Sequence, residues 1–177
     1  QSVRTTLINK KGEIVALAKK KYDPVYFSLE KGYAEQNPEV YWNYIKECLK
    51  ELTSNNKEKL DKIIGATITT FRDSSIQLSA DLKPIRNCIL WLDQRTAEAK
   101  EKIPAIYNFL YRLVGMTDAV ELNRKRTIAH WLKENEPENW AKVHKYVNIS
   151  TYLTYLLTGN LVDSCSSVTG HYPINFK

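Results

Sequence analysis

Arg72 and Asp73 are the neighbouring side chains whose types and position best suit the binding of a polar ligand. They directly follow an apolar, β-branched run at 62–71, which predicts a buried strand. In open α/β sheets, ligands bind just beyond the carboxyl ends of strands. Arg72 donates through a rigid fork and Asp73 accepts, so the pair suits hydroxyl groups, which do both. Spacing alone favours the alternative, a surface ion pair in a turn.

A second candidate group consists of Trp91, Asp93 and Arg95. It lies between a predicted buried strand at 89–92 and a predicted polar helix at 96–103. In the functional interpretation, Trp91 is a flat apolar wall for the ligand, and Asp93 and Arg95 organise the site behind it. In the structural interpretation, Trp91 belongs to the core and Asp93 caps the helix. Spacing favours neither interpretation.

The first residues of the chain carry a weaker signal for anion binding. Gln1, Ser2 and Arg4 lead into a predicted β-hairpin, with strands at 3–8 and 14–18 and a polar, glycine-containing turn. Backbone amides of a tight turn can hold a phosphate, and Arg4 adds positive charge. Without further information, a strand start with a solvated arginine is the simpler interpretation.

The cysteines do not indicate catalysis, a disulfide framework or a metal site. Cys48, Cys88 and Cys165 lie far apart, which favours reduced thiols in the cytosol. Cys165 lies among serines, but no histidine has a predicted place beside it to activate a nucleophile. Cys48 and Cys88 are expected to pack as small apolar residues, and with three histidines in the chain we expect no metal site.

Length and composition predict one domain with an ordinary core. The chain has 177 residues, of which 43% are apolar and 26% charged. The net charge of +6 comes from dispersed lysines, so nucleic-acid binding is not the expected function. No run approaches the roughly 20 apolar residues that cross a bilayer, and no signal peptide is visible. These features predict a cytoplasmic protein without a membrane partner.

The front half of the chain predicts strands around one helix. Asn37 is the expected cap of that helix and Pro38 its first residue, with an apolar stripe at helical spacing behind them. Pro24 places a possible extension of the sheet at an edge. The further strands are predicted at 22–26, 62–71, 75–78 and 89–92, with a turn at 81–84.

The back half predicts mainly helices. Pro104 is expected to begin one of them and Ser150 to cap another, which ends at Gly159. Helices are predicted at 96–103, from 104 onward, at 125–132, 137–140 and 151–157. The helix after Pro104 is expected to point its apolar side chains inward, namely those of Ile106, Phe109, Leu110 and Leu113.

Five segments in register resemble the amino-terminal domain of the FGGY carbohydrate kinases, a group that includes glycerol, xylulose, gluconate and ribulose kinases. The resemblance covers essentially the whole chain. The segments are QSVR with its hairpin, KGYAEQNP at 31–38 followed by Trp42, ILWLDQR at 89–95, WLKENEPENW at 131–140 and YLTYLLTG at 152–159.

This resemblance implies an α/β fold of the ribonuclease-H-like type, as in actin and hexokinase, with a mixed sheet and helices. Two such domains close around a cleft, with ATP and Mg²⁺ mainly on the second and the carbohydrate or polyol mainly on the first. The implied reaction transfers the γ-phosphoryl group of ATP to a carbohydrate hydroxyl, which requires positioning, charge neutralisation and a carboxylate base. A homodimer is a possible assembly.

By position, the resemblance implies site residues of two kinds. Carbohydrate contacts fall on Arg72, Asp73, Trp91 and Asn123. Contacts to the nucleotide phosphates fall on Gln1, Ser2 and Arg4.

The chain departs from the family pattern in three respects. The family's Asp-x-Gly-Thr strand is expected before Gln1 and its catalytic base beyond Lys177, so 1–177 is interpreted as a single partial domain that is inactive in isolation. Phe71-Arg72-Asp73 matches neither the glycerol kinase nor the xylulose kinase pattern, which leaves the substrate open. The alternative function is a non-catalytic sugar-binding or regulatory module of the same fold.

Overall fold

Residues 1–168 are described by the computed structural model, and they form two β-sheets with helices packed around them. In chain order, the elements are β1 (Ser2–Ile8), β2 (Ile14–Lys21), β3 (Glu35–Gln36), α1 (Pro38–Ser54), α2 (Lys57–Leu60), β4 (Ser75–Leu78), β5 (Cys88–Ile89), α3 (Ala105–Leu113), α4 (Thr117–Arg126), α5 (Ile128–Asn135), α6 (Pro137–Trp140), β6 (Lys145–Asn148), α7 (Ile149–Thr158) and α8 (Cys165–Val168).

The first sheet is the predicted hairpin. β1 pairs antiparallel with β2, with Thr5 opposite Ala18. The Asn9 side chain accepts hydrogen bonds from two backbone N–H groups of the turn, and Gly12 takes a φ of 83°, which favours glycine. The hairpin prediction is confirmed, although β2 continues three residues beyond the predicted end.

The second sheet has four strands in the order β3-β5-β4-β6, and all of its neighbouring strands are antiparallel. Ser75, at the start of β4, lies opposite Ile89 of β5 on one side and Asn148 of β6 on the other. The sequence predicted β4, whereas the strand predicted at 89–92 is observed only as β5, which ends at Ile89. The sequence did not predict β6, because four residues directly before a helix are too short a run to show a period of two.

Helix α1 joins the two sheets. The Asn37 side chain caps it by accepting from the Glu39 N–H at 2.9 Å, and Pro38 begins it, as predicted. Tyr41 packs into the core of the four-stranded sheet, whereas Cys48 and Leu52 pack against the hairpin. The predicted apolar stripe of α1 is therefore confirmed and serves two cores.

The two faces of the four-stranded sheet are both covered. One face packs against α1 and α7 through Ile76, Leu78 and Leu90. The other face packs against α5 through Ile89, which contacts Trp131 and Leu132. Because both faces are buried, every side chain of β4 is buried.

The predicted strand at 62–71 is absent. The segment is not assigned to a strand, and Ile64 is 90% exposed. A β-strand is stabilised by the ladder of hydrogen bonds to a neighbour, and the paired strands of the described residues do not include this segment. The predicted strand at 22–26 is absent for the same reason; only a single bridge, between Phe27 and Glu35, follows it.

The predicted helix at 96–103 is also absent. Ala99 has a φ of 58°, which an α-helix does not allow. The backbone N–H groups of this segment bond elsewhere: that of Ala97 donates to the Lys125 carbonyl at 2.8 Å, and that of Glu98 to the Glu134 carboxylate at 2.8 Å. These long-range bonds override the helical propensity of the segment.

The remaining helices lie close to their predicted positions, but some of their ends and caps differ from the prediction. α3 follows Pro104 as predicted, and Gly159 ends α7 with a φ of 77°. The predicted helix at 125–132 is divided at Thr127 into α4 and α5. Asn148, rather than Ser150, occupies the N-cap of α7.

The predicted inward orientation of the α3 stripe is wrong. No residue of α3 is buried. Its apolar side chains are between 47% and 67% exposed: Ile106, Phe109, Leu110 and Leu113. Helical spacing predicts which residues share a face, but it does not predict that another element covers that face.

Candidate functional site

The turn at 72–73 and Trp91 meet at one end of the four-stranded sheet. Because β4 and β5 are antiparallel, the residues before β4 and the residues after β5 lie at the same end. They are connected through the residue after Asp73, because the Trp91 N–H donates to the Ser74 hydroxyl at 3.1 Å. The structure thus brings together two of the sequence-predicted groups that lie about twenty positions apart in the chain.

The Arg72-Asp73 turn exposes both side chains. Asp73 has a φ of 60°, in the left-handed region, where aspartate is more common than most other residues. On its N-terminal side the turn is held by Phe71, whose ring contacts the Tyr41 ring at 5.7 Å between centroids. The expected end of a buried strand is wrong, but the predicted pair lies beside the sheet at the start of β4.

Trp91 is 58% exposed, so the interpretation of this side chain as a core residue is wrong. The backbone around it is well bonded: the Leu90 N–H donates to the Ala34 carbonyl at 3.0 Å, and the Asp93 N–H to the Leu90 carbonyl at 2.9 Å. An exposed indole on a bonded backbone suits a contact surface for a ligand, since an indole ring offers a large apolar face.

Asp93 does not cap a helix, because no helix begins directly after it and the next one is α3. Its carboxylate accepts from the Ala34 N–H at 2.6 Å and from the Arg95 N–H at 2.9 Å. It also binds the Arg95 guanidinium through two hydrogen bonds of 2.8 Å each. Asp93 and Arg95 therefore fix the loop that follows Trp91, which is compatible with the predicted organising role.

Glu35 extends this arrangement into a buried ionic cluster. Its carboxylate accepts from the Arg95 guanidinium at 2.9 Å and from the Arg86 guanidinium at 2.6 Å. Arg86 in turn donates to Glu136 at 3.0 Å. The cluster connects β3, the loop after Trp91 and α6. Sequence reasoning missed the role of Glu35, because nothing in the local pattern indicates two arginine partners more than fifty residues away.

The Arg95 guanidinium is also stacked on aromatic rings. Its central carbon lies 3.8 Å from the Tyr33 ring centroid and 4.5 Å from that of Trp131, a cation–π arrangement. Burial disfavours the charge, but hydrogen bonds to Asp93 and Glu35 outweigh it, so the pKa of Arg95 lies above its usual value. The group therefore stays charged.

The residues at the start of the chain connect to the same region through aromatic rings. The Tyr22 N–H donates to the Gln1 carbonyl at 3.3 Å. The Tyr22 ring packs edge-on against Tyr41 at 5.2 Å, and Tyr41 contacts Phe71. Burial raises the pKa of Tyr22 to about 12, so this phenol is neutral at physiological pH. Gln1 lies in this way on the chain of contacts that leads to Arg72.

Two of the remaining predicted residues of the first strand, Ser2 and Arg4, lie in β1 opposite Lys21 and Lys19. Asn123 lies exposed in α4, and its carbonyl accepts from the Thr127 hydroxyl at 2.7 Å. These contacts show no ligand for any of the three residues, so their roles stay predictions.

Asp163, in the segment after α7, has a structural role. The Asp163 carboxylate accepts from the Ser150 hydroxyl at 2.5 Å and from the Thr151 hydroxyl at 2.6 Å, both in the first turn of α7. Burial raises the pKa of Asp163, but these hydrogen bonds outweigh it, and its pKa lies below the usual aspartate value.

The three cysteines divide as their positions suggest. Cys165 is exposed in the short helix α8, whereas Cys48 and Cys88 are completely buried. Burial raises the pKa of both buried thiols, so they are unreactive apolar groups, as predicted.

An open cleft of about 730 Å³ lies at the opposite end of β5 from Trp91. Its lining includes Arg86 and the two carboxylates that bind it, Glu35 and Glu136, and none of the predicted site residues lines it. Within residues 1–168, no group of three or more His, Cys, Asp and Glu side chains is placed to hold a metal ion. No helix in that range is long and apolar enough to cross a membrane.

Comparison with known proteins gives a match over nearly the whole chain. The sequence model described as "FGGY family of carbohydrate kinases, N-terminal domain" matches residues 1–176. A xylulose kinase from Staphylococcus xylosus is 24% identical over 183 residues, which cover 99% of this chain and 36% of the relative. A glycerol kinase from Thermococcus gammatolerans is 27% identical over 181 residues, with 99% and 36% covered.

Solved structures show the same fold. The xylulose kinase from Rhodospirillum rubrum superposes with a TM-score of 0.74 at 19% identity, over 94% of this chain and 34% of that one. The glycerol kinase from Plasmodium falciparum with ADP gives a TM-score of 0.60 at 20% identity, over 90% and 32%. The predicted α/β fold of the actin and hexokinase type is confirmed, and the chain spans about a third of the length of these relatives.

Proposed function

Because the chain belongs to the FGGY family of carbohydrate kinases, as an N-terminal domain, we propose that it is the carbohydrate-binding part of an ATP-dependent sugar or polyol kinase. In this proposal 1–177 is a single partial domain of the enzyme. The observation that carries the proposal is the hydrogen bond from the Trp91 N–H to the Ser74 hydroxyl, because it joins the backbone of an exposed tryptophan to the residue that follows the Arg72-Asp73 turn.

The proposed site combines the three kinds of contact that a carbohydrate needs. The apolar face of a sugar ring lies against the Trp91 indole, which is exposed and available for stacking. Arg72 donates to ring or chain hydroxyls and Asp73 accepts from them. Asn123 is the fourth proposed contact. Such groups fix one hydroxyl for in-line attack, which is the positioning that phosphoryl transfer requires.

The nucleotide belongs to the same proposal. Gln1, Ser2 and Arg4 are proposed to contact the phosphates of ATP, with Arg4 as the charged group. The ADP-bound state of the Plasmodium falciparum glycerol kinase supports a nucleotide for this fold. The reaction then transfers the γ-phosphoryl group of ATP to a carbohydrate hydroxyl, with the base supplied from outside this chain.

Mg²⁺, which the proposed reaction needs to neutralise phosphate charge, is assigned no ligand in this chain. The described residues offer no cluster of acidic side chains for it, so no step is assigned to a metal here. The proposal also includes a homodimer and a cytoplasmic location, the latter from the scattered cysteines of the sequence.

Carbohydrate binding by the full gene product tests the proposed site most simply. Titration calorimetry with pentoses, hexoses, polyols and sugar acids is expected to give binding that Arg72→Ala weakens at least tenfold, since hydrogen bonds from charged groups contribute about 1.5–3 kcal/mol. Arg112→Ala, which removes an exposed arginine of α3, is the matched control and is expected to bind as tightly as the wild type. Equal weakening by the two variants would contradict the assignment of Arg72.

A further inference from the structure

Ser74 connects three parts of the proposed site: the Arg72-Asp73 turn, the segment after β5 and the start of α7. It is completely buried and lies between Asp73 and the first residue of β4. Its hydroxyl accepts from the Trp91 N–H at 3.1 Å, and its carbonyl accepts from the Ile149 N–H at 3.2 Å. One residue therefore binds the segment after β5 and the start of α7, which flank β4 on its two sides.

The hydrogen bond to Ser74 holds the Trp91 backbone, from which a largely exposed indole extends. The side chain is 58% exposed, so its position depends on the backbone. Leu90, the residue before it, bonds towards β3 through the Ala34 carbonyl. The backbone N–H of Trp91 points the other way, towards β4, and donates to the Ser74 hydroxyl. Loss of that hydroxyl would leave the Trp91 N–H without its protein acceptor.

The same residue limits the movement of the Arg72-Asp73 turn. Asp73 has left-handed backbone angles, which are maintained only when the residues on both sides are held. Phe71 is held by its contact with Tyr41, and Ser74 by its bond from Ile149. The turn and the indole thus share Ser74 as their common fixed point.

We infer that Ser74 is a positioning residue of the carbohydrate site, which fixes the Trp91 indole relative to the Arg72-Asp73 turn. The kinetic consequence of this inference rests on the proposed function, whereas its structural part rests only on the hydrogen bond from Trp91. Neither the family resemblance nor the local sequence pattern singled out this serine.

Kinetics of the full gene product test the inference with a neighbouring serine as the control. Ser75 is 5% exposed and lies in β4, but its hydroxyl accepts from the Gln77 amide at 3.0 Å. Ser74→Ala is expected to raise the KM for the carbohydrate about tenfold, the effect of losing about 1.4 kcal/mol of binding, and to leave the KM for ATP unchanged. Ser74→Thr, which keeps the hydroxyl, is expected to restore most of the loss.

Ser75→Ala separates positioning from stability. It removes a buried hydroxyl from the same strand, so it is expected to lower the melting temperature about as much as Ser74→Ala, with both KM values unchanged. A carbohydrate KM that rises equally in Ser74→Ala and Ser75→Ala would overturn the inference. So would a Ser74→Ala variant with an unchanged carbohydrate KM.

A second measurement needs no substrate. In protein labelled with 5-fluorotryptophan, the fluorine NMR resonance of Trp91 is identified by its loss in Trp91→Phe. Ser74→Ala is expected to shift or broaden that resonance, and Ser75→Ala to leave it in place. An unchanged Trp91 resonance in Ser74→Ala contradicts the inference even if the kinase proposal holds, whereas failure to phosphorylate any carbohydrate contradicts the proposed function alone.

Discussion

The Glu35 carboxylate accepts a hydrogen bond from the Arg95 guanidinium at 2.9 Å, although the side chains are only 3% and 1% exposed. Arg86 shares the same carboxylate oxygen at 2.6 Å. Two buried cations thus share one anion, and each has a second acceptor: Asp93 for Arg95 and Glu136 for Arg86. This cluster ties the loop that follows Trp91 to β3.

Glu35→Gln is expected to destabilise the fold by about 3 kcal/mol, because a neutral amide replaces the buried carboxylate that accepts hydrogen bonds from both guanidinium groups. Glu47→Gln is the control: Glu47 pairs with Lys20 at 3.4 Å but is 58% exposed, and such surface pairs contribute about 0–1 kcal/mol. Urea unfolding followed by circular dichroism gives both values. Similar losses in the two variants would show that the buried cluster is not the stabilising feature.

Arg72→Ala in the full gene product is expected to lower kcat/KM for the carbohydrate by roughly 10- to 100-fold, the range for loss of charged hydrogen bonds. Arg4→Lys retains a positive charge on the exposed side of β1, so a smaller effect is expected, and mainly on the KM for ATP. Steady-state kinetics with each substrate varied in turn provide the comparison. Small and equal effects of the two substitutions on kcat/KM would contradict the assignment of Arg72 to the carbohydrate site.

Trp91→Ala is expected to raise the carbohydrate KM roughly tenfold, since a stacked aromatic contact is replaced by a methyl group, without lowering the melting temperature. Trp131→Ala, in contrast, is expected to lower the melting temperature. Trp131 is 8% exposed, and truncation of a buried tryptophan costs about 3–5 kcal/mol. Thermal unfolding and kinetics of the two variants distinguish a binding surface from a core residue. A marked loss of stability in Trp91→Ala would contradict the proposed role.

Asp163 is expected to make stability depend on pH in the acid range. Its pKa in the folded protein lies below the usual value, so its contribution is fully present above the unfolded-state pKa of about 4 and disappears as the pH falls through the folded-state value. Asp163→Asn is therefore expected to be less stable than the wild type at pH 6, with a smaller difference at pH 3. Urea midpoints at the two pH values test this, and a difference that does not change with pH would contradict it.

Local signals in the sequence predicted the elements whose causes are local. The hairpin, the Asn37 cap of α1 and the end of α7 at Gly159 each depend on a few neighbouring residues. The helix at 96–103 failed because its N–H groups bond to residues far along the chain, such as Glu134. The strand at 62–71 failed because a strand requires a partner, which composition does not supply.

The site likewise combines residues that local sequence features could indicate with residues whose roles depend on distant contacts. Residue types and expected strand ends made Arg72, Asp73 and Trp91 candidates, and the family resemblance selected them. The strand expected before Arg72 is absent, but Trp91 is bonded to Ser74, the residue after Asp73. The roles of Ser74 and Glu35 were not predicted. Ser74 has no distinctive local pattern, and the KGYAEQNP segment that contains Glu35 does not indicate its distant arginine partners. The two roles come from contacts across seventeen and sixty positions.

The central claim is that this chain binds the carbohydrate of an ATP-dependent kinase, and ADP release tests it most directly. The full gene product is incubated with Mg²⁺-ATP and a panel of pentoses, hexoses, ketoses, polyols and sugar acids, beside the 177-residue chain alone. We expect ADP release with at least one carbohydrate from the full product, reduced by Arg72→Ala, and none from the isolated chain. No carbohydrate-dependent release from the full product, or release from the isolated chain that is as fast, would contradict the account.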